Sequence, residues 1–259
     1  MDIAIITGAS AGLGQAFFRS VVRRYPKLDQ IWLIARRADR LQQLAQDSPV
    51  PVECLPLDLT QDSSYRAISE RLAAEQPRVR ILINNAGLGQ LDDMVDSDVA
   101  TQVRMVDVNC RGLTAVTTAV LPYMPKDSFV IQVASIAAFA PNARMTVYSS
   151  TKSYFLMPRA YVLSLARGLR MEMKSRGVNV LALCPGPMST EFLEKADITA
   201  GKSRQFDTLP YSDPEAVADG AVVRAARGKA IYTPRAFYRF YHFVSKVLPT
   251  SLVMKMCRT

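Results

Sequence analysis

Histidine and cysteine are scarce in these 259 residues, and that scarcity excludes several kinds of chemistry. His242 is the only histidine, and Cys54, Cys110, Cys184 and Cys257 are widely spaced, with no C-x-x-C pair and no His–Cys cluster. Zinc centres and disulfide frameworks are built from such clusters, so neither is expected, and no metal residues are assigned. No stretch reaches the ~18–20 apolar residues that a spanning helix needs. The sequence opens on a strand-like run, Asp2–Thr7, without a basic n-region or a signal-type apolar segment. A reducing cytoplasm is the expected location. Gly at 12 and Pro at 15 are ordinary counts, which argues against a fibrous repeat or low-complexity disorder.

What is present suits one large α/β domain. Hydrophobic residues make up 49% of the chain, enough for a sizeable core. The net charge is +9, but the excess is partly local. Arg235, Arg239, Lys246, Lys255 and Arg258 lie in the last segment with no acid among them, leaving +4 on the remainder. A nucleic-acid partner for the whole protein does not follow from that balance.

Short apolar runs alternate with longer helical patterns. Ile3–Thr7, Ile31–Ala35, Val52–Leu57, Val79–Asn84, Ser128–Ala134 and Val178–Cys184 read as strands, with a last one at Ala230–Thr233. They are almost continuously apolar, as strands covered on both faces are. Helices are expected at Leu13–Tyr25, Ala38–Gln46, Ser63–Glu75, Ala100–Met124, Val147–Arg176 and Pro214–Arg227, the last capped by Asp213. Such alternation implies right-handed crossovers and a doubly wound parallel β-sheet flanked by helices. Residues 1–234 form the expected domain, with an irregular substrate loop at about 188–211 and a basic extension at 235–259.

TGASAGLG, Thr7–Gly14, follows the first strand and opens the first helix. Gly8 permits a tight turn, Gly12 lets backbone approach a pyrophosphate, and Gly14 lets helix and strand pack closely. Helix N–H groups then face the phosphates. Thr7, Gly8, Ser10, Gly12, Leu13 and Gly14 are the cofactor candidates of this turn, and the setting is that of a Rossmann fold. At the end of the second strand, where an NAD site usually places an acid, the sequence reads Ala35-Arg36-Arg37. An arginine fork suits the 2′-phosphate of NADP; the alternative is two solvated charges at a helix start. NADP(H) is therefore expected over NAD(H). Asp58 and Leu59 frame an adenine, or Asp58 is simply a turn residue.

Tyr148 and Lys152 are four apart, on one helix face. A phenol near pKa 10 is a poor acid at neutral pH, and an ammonium beside it favours the phenolate, helped by oxidised nicotinamide. Ser135, just past the fifth strand, is placed to hold a substrate oxygen beside Tyr148. Taken singly, each has an ordinary structural explanation; in this order after a nucleotide turn, they point to hydride transfer on a carbonyl.

These residues resemble the short-chain dehydrogenase/reductase superfamily along the chain to about Pro234. The resemblance rests on TGASAGLG, Asn84-Asn85-Ala86-Gly87, Asn109, Ser135, Tyr148/Lys152 and Pro185-Gly186-Pro187. It implies that Tyr148 is the acid/base, that Lys152 binds the nicotinamide ribose, and that Ser135 polarises the carbonyl. Asn109 would hold a backbone kink and a proton-relaying water. Asn85, Ala86 and Gly87 would line the adenosine side, Asn84 would brace the sheet, and Pro185, Gly186, Met188 and Thr190 would approach the nicotinamide. Ala11 departs from the pattern, since many NADP-using members carry a basic residue there. A homodimer or homotetramer through the two long helices is also implied. Family position alone gives a pocket of Ala137, Phe139, Asn142, Met145, Met188, Phe192 and Phe206, which favours a hydrophobic small-molecule substrate such as a steroid, acyl or bulky ketone. A non-catalytic NADP(H)-binding scaffold and a lyase or epimerase using the same tyrosine are the competing functions.

In the extension, Phe237, Phe240, Tyr241, Val244, Val247 and Leu248 form one apolar stripe at helical spacing. Three readings stand: packing as a lid or subunit contact, a peripheral membrane contact through 236–248, or a frayed end.

Overall fold

The computed structural model describes residues 1–139, 142–152, 161–248 and 252–253. Seven strands form one parallel sheet in the order β3-β2-β1-β4-β5-β6-β7. They are β1 (Asp2–Thr7), β2 (Gln30–Ala35), β3 (Val52–Pro56), β4 (Arg78–Asn84), β5 (Phe129–Val133), β6 (Asn179–Leu183) and β7 (Ile231–Tyr232). The helices between them are α1 (Gly12–Arg24), α2 (Ala38–Ala45), α3 (Asp62–Glu75), α4 (Val99–Val106), α5 (Leu113–Val120), α6 (Thr146–Lys152), α7 (Tyr161–Met173), α8 (Glu191–Lys195), α9 (Arg204–Thr208) and α10 (Pro214–Ala226), with α11 (Ala236–Val247) after β7.

Strand periodicity divides the core into two layers. Along β1, Ala4 and Ile6 face a cluster built with Phe17 of α1, Leu41 of α2 and Val222 of α10. Ile3 and Ile5 face the opposite one, with Ile68 of α3, Val116 of α5 and Leu163 of α7. Each such large apolar side chain contributes about 1.5–3 kcal/mol on full burial, which is why both faces of the strands must be apolar. Asp213 caps α10, its carboxylate accepting from the amides of Glu215 and Ala216. Helices α1 and α10 are joined by Asp219, which accepts from Ser20 at 3.0 Å and from Arg23 and Arg24.

Two expected long helices are subdivided. The run read as Ala100–Met124 is α4, a π-helical turn at Asp107–Gly112, α5, and a 3-10 turn at Leu121–Tyr123. The run read as Val147–Arg176 contains α6 and α7, and its residues 153–160 lie outside the described residues.

The extension departs from the single stripe expected of it. Tyr238 is fully buried, with Tyr241, His242 and Leu248 also turned inward, whereas Phe237, Phe240, Phe243 and Val247 are exposed. The helix has two apolar faces, and the assumed stripe mixed them. His242 stacks on Phe139, ring centroids 4.0 Å apart and planes 8° off parallel. Burial, with Lys246 and Arg167 nearby, lowers its pKa from 6.5 to about 4. Between those values the unfolded chain holds a proton that the native state does not, so His242 costs stability as pH falls from 6.5 to about 4. His242→Phe is expected to flatten the pH dependence of thermal unfolding in that window; an unchanged profile would show that another group sets it.

Candidate active site

Parallel strands bring all their carboxyl ends to one edge, and the strand order reverses between β1 and β4. A cleft opens at that edge, as the topology requires. Its floor is the turn from β1 into α1. Gly8 has φ +65°, and a Cβ on Gly14 would sit 2.1 Å from the Gly8 carbonyl oxygen, so a side chain there would drive the helix off the turn. Helix α1 is preceded by Ala11, which offers no side-chain cap, and has no acid in its first turn. Its leading N–H groups and positive dipole end are left to an external anion.

Asn85 secures this turn from β4. Its side-chain amide donates to the carbonyls of Thr7 and Gly8 at 3.2 and 3.1 Å, and the Thr7 hydroxyl accepts from the Asn85 and Ala86 amides. Thr7 and Gly14 therefore shape the turn from behind, while Gly8, Ser10, Gly12, Leu13, Asn85, Ala86 and Gly87 form the wall itself. Asn84 braces the sheet as expected, donating to Thr117 of α5 at 2.8 Å.

The arginine pair separates into two environments. Arg37 makes an ion pair with Glu191 of α8 at 2.9 Å and donates to the Ser10 hydroxyl and carbonyl. Arg36 is exposed on the cleft wall and has no hydrogen bond or salt bridge among the described residues. The expected fork thus reduces to Arg36 as the free cation, with Arg37 tying the loop after β6 to the glycine turn. Asp58 lines the cleft but is also a turn residue: it accepts from the Thr60 amide and hydroxyl at 3.0 Å and pairs with Arg104. Leu59 lies beside it on the wall.

At the other end, Ser135 leaves β5 and caps a short 3-10 turn, its Oγ accepting from the Ala137 amide at 3.1 Å. Ser135 shares the cleft wall with the Tyr148 phenol of α6, and its side chain favours the phenolate. One turn on, Lys152 is buried and donates from Nζ to the Val133 carbonyl at 2.9 Å. Burial lowers its pKa to about 8. Burial raises the pKa of the Tyr148 phenol, and the nearby Ser135 side chain opposes that rise. The expected lowering by Lys152 is not the dominant influence on Tyr148, because Nζ is turned to Val133 and the phenol sits in apolar surroundings.

Asn109 lies inside the π-helical turn. Its Oδ1 accepts from the Leu88 amide at 2.8 Å, and its Nδ2 donates to the Leu88 carbonyl and to Thr151 Oγ1. It links the irregular turn, the loop following β4 and the helix that carries Tyr148 and Lys152. Thr151 had no sequence signal beyond its place between them.

Of the expected pocket, Ala137, Asn142, Met145, Met188, Phe192 and Phe206 line the cleft, as do Pro185, Gly186 and Thr190. Phe192 of α8 meets the Tyr148 ring at 5.7 Å between centroids. Phe139 is a correction: it points away from the cleft into Tyr241 and His242, because the 3-10 turn after Ser135 rotates it toward α11. Tyr238 was missed. Its ring packs against Gly186 and its hydroxyl donates to the Pro210 carbonyl at 2.8 Å, so α11 backs the loop after β6. The signal was there, since 238, 241, 245 and 248 also follow helical spacing.

The chain is similar in sequence and fold to known proteins. The chain is 29% identical to a short-chain dehydrogenase from Sphingobium yanoikuyae solved in complex with NADPH, at TM-score 0.78 over 95% of this chain and 93% of that one. It is 25% identical to the bulky-bulky ketone specific alcohol dehydrogenase from Comamonas testosteroni, at TM-score 0.73 over 95% and 91%. Sulfoacetaldehyde reductase 2 of Chromohalobacter salexigens is 32% identical over 221 residues, 81% of this chain and 82% of that protein. A sequence model described as short chain dehydrogenase matches residues 2–200, and the chain belongs to that family.

Proposed function

We propose that this oxidoreductase is an NADP(H)-dependent reductase of apolar ketones, reversible as an alcohol dehydrogenase. The observation that carries the reading is the meeting of Ser135, Tyr148 and Lys152 on one wall of a dinucleotide-shaped cleft, beside its apolar lining. The cleft suits the cofactor: an uncapped helix start for the pyrophosphate and an unpaired Arg36 for a 2′-phosphate. NADPH, when bound, supplies the hydride.

The remaining work falls to the chain. Ser135 Oγ and the Tyr148 phenol both donate to the carbonyl oxygen of the substrate. As that oxygen gains negative charge, Tyr148 passes its proton to it; in oxidation the proton returns. Lys152, held by Val133, presents its ammonium to the ribose hydroxyls and stabilises the phenolate left behind. Phe192, Met145 and Phe206 exclude water, which strengthens each of these interactions. The fit to a bulky ketone rests on that apolar lining and on the Comamonas relative. An anionic substrate such as that of the Chromohalobacter relative suits the site less: among the described residues, the cations on the cleft wall beyond Lys152 are Arg36, on the adenosine side, and Arg37 and Lys195, both paired with Glu191.

The test is consumption of NADPH and NADH against steroid, acyl and bulky aromatic ketones. NADPH-dependent turnover on one of these classes supports the reading, and tight NADPH binding with no turnover across the panel moves the protein to the scaffold alternative. In the same assay Arg36→Ala should raise KM for NADPH at least about tenfold, the scale of one lost charge-assisted hydrogen bond, and leave NADH nearly unchanged. Equal losses for both cofactors would remove Arg36 from 2′-phosphate recognition.

A further inference from the structure

Helix α11 carries more apolar surface than the body covers. Tyr238, Tyr241, His242 and Leu248 face inward. On the other side Phe237 is 53% exposed, Phe240 67%, Phe243 62% and Val247 64%. At 3.6 residues per turn these four fall within an arc of about 120°. Arg239 and Lys246 project along one border of that arc, and no acid occurs between 235 and 248. Arg239 and Lys246 form no salt bridge among the described residues. Three exposed phenylalanines on one helix face form a contiguous apolar patch of the kind that marks a contact site.

We propose that this face of α11 docks the protein on an anionic lipid surface. A short helix whose aromatic side chains sit in the headgroup–acyl boundary, with cations alongside, is suited to lie in the plane of a membrane. Its basic border complements anionic headgroups, which attract each nearby Lys or Arg. A second copy of the chain fits the face less well. Isologous contact would bring together two faces that each carry Arg239 and Lys246 and no acid, between two molecules each carrying +9. The mode is peripheral, since none of the described helices is long and apolar enough to cross a membrane. The inward side of the same helix packs on Gly186 and Phe139, so docking would occur one side-chain layer behind the proposed reaction site. The inference does not depend on the substrate or the cofactor.

The test is flotation of the full chain with vesicles of phosphatidylcholine alone and of phosphatidylcholine with about one third phosphatidylglycerol. The protein should float with the anionic vesicles, and less so as salt is raised. Phe240→Ser/Phe243→Ser should reduce binding at least tenfold without lowering the melting temperature, because both rings are exposed. Arg239→Glu/Lys246→Glu should do the same, and serves as the second variant if the serine pair folds poorly. Absence of flotation, or flotation unchanged in both double variants, would overturn the proposal. So would a fall in solution mass from dimer to monomer in the serine variant, which would assign the face to a second copy.

Discussion

Tyr148→Phe is expected to lower turnover by about 10²–10⁴-fold, the range typical of losing a general acid–base, while NADPH affinity stays within a few-fold of wild type. The substitution removes one oxygen and keeps the ring that packs against Phe192. What is lost is the proton that the carbonyl oxygen must receive. Binding is spared because the charged surfaces assigned to the cofactor, the glycine turn, Arg36 and Lys152, are left unchanged. Initial rates and a binding titration on the same preparation separate the two quantities. Near-normal turnover would remove Tyr148 from the acid–base role.

Lys152→Met should abolish useful turnover and raise stability near neutral pH. Lys152 is 3% exposed, and burial brings its pKa from 10.5 to about 8. Below about 8 both native and unfolded chains carry the charge, and the native state bears the full cost of burying it. Between about 8 and 10.5 the unfolded chain retains a proton that the native state has released, so wild-type stability rises with pH across that window. A shift of this size corresponds to an upper bound of order 3 kcal/mol, and the lost hydrogen bond to Val133 takes back about 1 kcal/mol. The variant should therefore melt a few degrees higher at pH 7, and its advantage should shrink by pH 10. Lower melting at pH 7 would mean that the Val133 contact outweighs the burial cost, and a stabilised variant with wild-type rates would overturn the role given to Lys152. Such an opposition is expected wherever a charge is kept in an apolar place for chemistry.

Both large effects fall on residues that the sequence had already marked, and the reason is spacing. Tyr148 and Lys152 share a helix face by simple periodicity, and the strands announce themselves because parallel strands buried on both sides have almost no polar residues. The division of the run around Asn109 was not legible. Apolar periodicity continues through Asp107–Gly112, and the π-helical turn reflects an amide bonded to Leu88 and Thr151, which lie in other elements. The arginine pair was legible as charge but not as partnership, since Glu191 arrives from a distant loop. The extension misled for a related reason. When aromatics occupy both sides of a helix, spacing alone does not say which side meets the body.

Tyr238 has a consequence for anyone shortening this protein. Its ring lies against Gly186 and its hydroxyl holds Pro210, so the residues after β7 act as a keystone for the bend that follows β6. A version clipped after Pro234, a natural place to trim for crystallisation or fusion, would retain every strand and every residue assigned to the chemistry. It would also carry a tyrosine-sized hollow behind the bend. Its defect would then lie in the alignment of the two ends of the cleft, with the reacting groups all present and held at the wrong distance.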